Sequence, residues 1–110
     1  PSKLFIQTLE DSQLLTANYE EYRAVTAESS CWQKVNQNIA ERLFMKKEKR
    51  ESSLLLDDAQ TRYIKFRNEY TGLESRIKQY LIASYLGITP VTLSRIRARL
   101  RKPLSYDNED

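Results

Sequence analysis

Three features of the 110-residue chain predict a mainly α-helical fold. Only two glycines and three prolines interrupt it, so nothing breaks helix for long stretches, and Glu, Lys, Arg, Leu and Gln, all good helix formers, are abundant. Residues 30–56 contain neither Gly nor Pro. Residues 79–100 carry apolar positions at helical spacing on both sides of Gly87. The predicted architecture is a short N-terminal β-hairpin, a short helix, one long helix, and a compact helical unit that ends in two helices joined by a tight turn.

The hairpin is expected over residues 3–17, KLFIQTLEDSQLLTA, where β-prone residues flank Glu10-Asp11-Ser12, a combination suited to a tight turn. An isolated hairpin is marginal in water and needs a surface to pack on. Asn18, with Glu21 three residues later, has the spacing of a capping box and predicts a helix reaching Val25 or Glu28, with Tyr19, Tyr22 and Val25 as its buried stripe. Ser30 with Gln33 repeats the start signal. The helix that follows should run about 26 residues to Leu56, roughly 39 Å at 1.5 Å per residue.

Along that helix Trp32, Val35, Ile39 and Leu43 recur at spacings of three and four. Such a stripe suits a seam between two copies of the helix, or a contact with the hairpin of the same chain. The stripe ends at the charged run MKKEKRE. Leu54, Leu55 and Leu56 then read as a hinge beneath the C-terminal unit, and Asp57 or Asp58 as the cap of the next helix. On that helix Ala59, Tyr63, Phe66 and Tyr70 share one face, and Gly72 ends it. Residues 73–77 should add a short helical turn.

The last pattern is QYLIASYLGITPVTLSRIRARL, residues 79–100. Apolar or small residues fall at Ile82, Ala83, Leu86, Ile88, Leu93 and Ile96. Ala83 is small where the second helix crosses close by, and Gly87 permits the left-handed backbone of a sharp turn. Thr89 can cap the second helix, and Pro90 fits its first position, where a missing N–H costs nothing. This is the pattern of a helix-turn-helix. Placed at 100° intervals, Leu93, Ile96 and Leu100 form the buried side, while Val91, Ser94, Arg95 and Ala98 lie opposite, flanked by Thr92 and Arg99. A face of small residues with a central guanidinium suits entry into a DNA major groove, because arginine can donate two hydrogen bonds to guanine O6 and N7. Arg97, closer to the buried seam, is expected at a phosphate. Residues 76–102 hold seven Lys or Arg and no acid, whereas residues 1–56 balance at eight and eight. The candidate DNA-binding residues are therefore Thr89, Val91, Thr92, Ser94, Arg95, Arg97 and Arg99, and the candidate dimer seam is Trp32, Val35, Ile39 and Leu43.

The runs RYIKFRNEY and IASYLGITPVTLSRIRARL resemble the C-terminal domain of Crp/Fnr-type transcription regulators, over about residues 56–102. The resemblance implies that Arg95 contacts guanine, whereas Pro90 and Val91 stand where many relatives carry charged or polar base-reading residues. It also implies a division of the chain: residues 1–29 as the end of a cyclic-nucleotide-binding-like β-roll, 30–56 as a long dimerisation helix, 57–102 as the DNA-binding domain, and 103–110 as a disordered acidic tail. A homodimer on double-stranded DNA follows, with RNA polymerase as a further partner. The glycine, glutamate and arginine of a nucleotide cassette have no counterpart here. No cofactor is expected in this chain, and a cyclic nucleotide or other small effector would bind upstream of Pro1.

Several chemistries are excluded by composition. The chain has no histidine and a single cysteine, which removes His-based acid–base catalysis, His-containing metal sites, zinc knuckles, all-cysteine iron–sulfur ligation and internal disulfides. Cys31, beside Trp32, reads as a half-buried inert thiol. The acid pairs Glu10-Asp11, Glu20-Glu21 and Asp57-Asp58 sit at turns or helix starts, where they favour the helix dipole. The lone cysteine and the absence of a leader-like or membrane-spanning run suit a cytoplasmic protein that is not an enzyme. An alternative use of the same fold is a protein-interaction module whose basic helix binds an acidic partner. A recombinase or nuclease carrying this reader finds no residues in support.

Overall fold

The structure, a computed structural model, describes residues 2–101, so the expectation for the tail 103–110 lies outside the described residues. Among the described residues five α-helices follow one another: α1 (Tyr19–Ala27), α2 (Ser30–Leu56), α3 (Ala59–Glu69), α4 (Gln79–Leu86) and α5 (Pro90–Arg101), with a 3₁₀ turn at Leu73–Ser75 between α3 and α4. The chain is mainly helical. It divides into two compact units, residues 1–52 and 53 onward.

In the first unit residues 3–17 form no strand, and none occurs among the described residues. Leu4, Phe5, Ile6 and Leu15 are all largely exposed. The β-prone side chains have no apolar surface beneath them, and two strands alone bury too little to hold a hairpin. Asn18 caps α1 by accepting from the backbone N–H groups of Glu20 (2.9 Å) and Glu21 (3.4 Å). The stripe expected on α1 is not buried: Tyr19, Tyr22 and Val25 are all exposed, and Thr26 is the residue that is covered. A nine-residue helix with one helical neighbour has too little partner surface to cover an apolar face. The Tyr22 hydroxyl donates to Asn36 Oδ1 of α2, and Gln33 Nε2 donates to the Ala27 carbonyl at 3.2 Å. On α2, Trp32, Val35, Ile39 and Leu43 remain 37–63% exposed. Cys31 is exposed as well, not half-buried.

The second unit holds the hydrophobic core: Tyr63 and Phe66 of α3, Ile82, Ala83 and Leu86 of α4, Leu93 and Ile96 of α5. Ile82, Leu93 and Ile96 are sealed from water, and burying side chains of this size is worth about 1.5–3 kcal/mol each. Phe66, Tyr70 and Tyr85 pack as three aromatic pairs with centroids 5.5–6.1 Å apart, joining α3 to α4. Asp58 caps α3 by accepting from Thr61 N–H at 2.7 Å. The last turn of α2 belongs with this unit: a Cβ on Gly87 would lie 3.4 Å from Leu54 Cδ2, and Asp57 accepts from Lys65 Nζ at 2.7 Å and from the Ser53 hydroxyl. Leu55 and Leu56, expected to close the hinge, point to solvent instead. A three-leucine run on a helix spans too wide an arc for all three side chains to face one neighbour.

Candidate nucleic-acid interface

Helices α4 and α5 are joined through Gly87, at φ 67° and ψ 36°, whose N–H reaches the Ala83 and Ser84 carbonyls. The Ile88 N–H bonds the Ala83 carbonyl at 3.0 Å, closing the orphan carbonyls at the end of α4. Thr89 Oγ1 accepts from the Thr92 N–H at 3.2 Å and lies 2.9 Å from Thr92 Oγ1, so both threonine hydroxyls serve the start of α5. Pro90 is its first residue. A second glycine, Gly72, at φ 79°, turns the chain from α3 into the 3₁₀ turn.

On α5 the sequence-derived faces separate. Leu93 and Ile96 are buried, Val91, Ser94, Arg95, Ala98 and Arg99 are exposed, and Thr92 is half-buried. Leu100, read as part of the buried side, is 38% exposed, because it lies at the helix end where the neighbouring helix no longer covers it.

Arg97 departs most from the expectation of a phosphate contact. Its side chain is 13% exposed and turned toward Glu74 of the 3₁₀ turn. Arg97 NH2 and Nε donate to Glu74 Oε1 at 2.6 and 3.1 Å, and Nε also lies 3.2 Å from the Tyr63 hydroxyl. Tyr63 in turn donates to Glu74 Oε1 at 2.8 Å, and Arg67 Nε pairs with Oε2 at 3.4 Å. Both guanidinium carbons lie 5.8 Å from the Tyr63 ring centroid. Burial alone would raise the Glu74 carboxyl, but the hydrogen bonds from Arg97 and Tyr63 and the nearby guanidinium charges outweigh it, so Glu74 titrates below its ordinary value. Tyr63 is pushed up by burial and by Glu74. For Arg97 the same partners outweigh burial and raise it further. A guanidinium so engaged is already paired, and placing it on a phosphate would require breaking that pair.

Glu74 and Tyr63 were not legible as site residues. Glu74 lies 23 positions from Arg97 and Tyr63 lies 34, and no local periodicity records such a pairing. The only available signal was that Glu74 is the last acid before the basic stretch 76–102. Among the described residues no group of His, Cys, Asp or Glu could hold a metal ion, and no helix is long and apolar enough to cross a membrane. Comparisons with family models, with curated proteins and with solved structures gave no match.

Proposed function

We propose that the C-terminal unit reads double-stranded DNA through α5, as a transcription regulator of Crp/Fnr type. The observation that carries the reading is the divided surface of α5: Leu93 and Ile96 are sealed in the core, while Val91, Ser94, Arg95, Ala98 and Arg99 form one solvent-facing strip with two guanidiniums and no acid. Small side chains let a helix approach base edges closely, and Arg95 at the centre of the strip can make the paired bonds to a guanine. Arg99, one helical turn along, reaches a flanking phosphate. The N-terminal end of α5 adds the positive pole of its dipole.

Dimerisation through α2 belongs to the same proposal. Its support is the half-exposed stripe Trp32, Val35, Ile39 and Leu43, apolar area that a second α2 could cover.

The test is a set of binding titrations over several salt concentrations, using a random-sequence duplex pool and the duplex that selection from that pool yields. The wild type should show a steep fall of log affinity with log salt. Arg95→Ala should lose about 1–3 kcal/mol on the selected duplex and much less on the pool. Arg99→Ala should weaken both alike and shrink the salt slope by about one. Binding to polyglutamate but not to duplex would favour an acidic protein partner instead.

A further inference from the structure

The strip on α5 can read bases only if the helix is held at one rotation about its own axis. The apolar seam of Leu93 and Ile96 is a poor device for that by itself, because hydrophobic contact is non-directional. A helix with side chains is about 10–12 Å across, so a 20° roll carries a surface atom roughly 2 Å. Hydrogen bonds tolerate about 0.5 Å. Something directional has to fix the roll.

We propose that Arg97 is that device: a positioning residue, anchored by Glu74 and Tyr63, that sets the rotation of α5 and so decides how Arg95, Ser94 and Val91 are offered to DNA. This rests on the reading of α5 as the DNA reader. Three observations carry it. First, Arg97 lies two residues from Arg95 and therefore about 200° around the helix, so its side chain works as a lever on the opposite side of the axis. Second, the bonds are directional: a planar guanidinium places NH2 at 2.6 Å and Nε at 3.1 Å from a single carboxylate oxygen, with Nε also 3.2 Å from a phenol. Third, the anchors do not belong to α5. Tyr63 projects from α3 and is 3% exposed, and Glu74 sits on the 3₁₀ turn, where its second oxygen is held by Arg67. Three elements thus meet at one carboxylate, beside a cleft of about 480 Å³ that Leu100 and Arg101 also line.

The experiment compares the wild type with Arg97→Lys and Glu74→Gln, using the random-sequence duplex pool, the duplex it selects and a scrambled control. Lysine keeps the charge and loses the planar fork, and glutamine keeps the shape and loses the charge. Both variants should remain folded by circular dichroism. Arg97→Lys should bind the unselected pool within about twofold of wild type and with the same salt slope, because no phosphate contact is lost. Its preference for the selected over the scrambled duplex should fall about tenfold. If either single variant fails to fold, Tyr63→Phe, which removes one hydroxyl, supplies the same comparison. Folded variants that keep the full preference overturn the positioning role even if their melting temperature falls, since a merely structural cluster would change stability alone. A wild type that binds no duplex overturns the reading of α5 and this proposal together.

Discussion

At the scale of single residues, two positions carry their physics in the open. Gly87 sits at φ 67°, and a methyl group there would meet only Leu54 Cδ2, at an ordinary contact distance of 3.4 Å. Space is therefore not the constraint, and the left-handed backbone is. Gly87→Ala should cost about 1–2 kcal/mol, seen as a lower melting temperature with the helical spectrum unchanged. Glu74 behaves as a depressed carboxylate: its ion pairs stabilise the fold fully above the ordinary carboxyl value of 4.5 and are lost as pH falls through the lower, folded value. Thermal melts from pH 6 down to pH 3 should show the wild type losing stability below about pH 4.5 more steeply than Glu74→Gln. Asp57 and Asp58 are depressed too, the first chiefly by Lys65 and Ser53 and the second by Thr61, so it is the difference between the two proteins that isolates Glu74.

At the scale of elements, the sequence was legible wherever the determining signal is local. The Asn18 and Asp58 caps, the Thr89–Pro90 start of α5 and the turn at Gly87 each depend on residues within four positions, and each forms. The core face of α3 was readable from the spacing of Tyr63 and Phe66 for the same reason. The segment 3–17 failed because strand propensity expresses packing against neighbours more than any backbone preference, and nothing covers Phe5 or Ile6. The stripe on α2 lies between these cases. Its periodicity is present, and the described chain leaves it half exposed. Ile39→Glu is the sharp test, since two carboxylates in a shared seam repel and lose hydration. Sedimentation should report a dimer for the wild type at tens of micromolar and a monomer for Ile39→Glu, while melting of the C-terminal unit stays unchanged.

At the scale of the whole molecule, the contacts that the sequence concealed are those that join distant elements: Arg97 to Glu74, Tyr63 to Arg97, and Arg62 to the end of α4. Each spans more than 20 positions and involves a charged side chain that composition alone assigns to solvent. Arg62 is the simplest. Its Nε donates to the Leu86 carbonyl at 3.0 Å and its NH1 to the Asp57 carbonyl at 2.5 Å, so one guanidinium closes the C-terminal ends of two different helices. In the language of hydrogen exchange, this links the last turn of α2 to the last turn of α4 through one side chain: an opening that displaces the guanidinium uncaps both ends at once. The Asp57 amide, bonded to the Ser53 carbonyl, and the Gly87 amide, bonded to the Ser84 carbonyl, should then exchange with one common opening free energy. In Arg62→Ala the two rates should part, with Asp57, at the end of an otherwise exposed helix, becoming the faster.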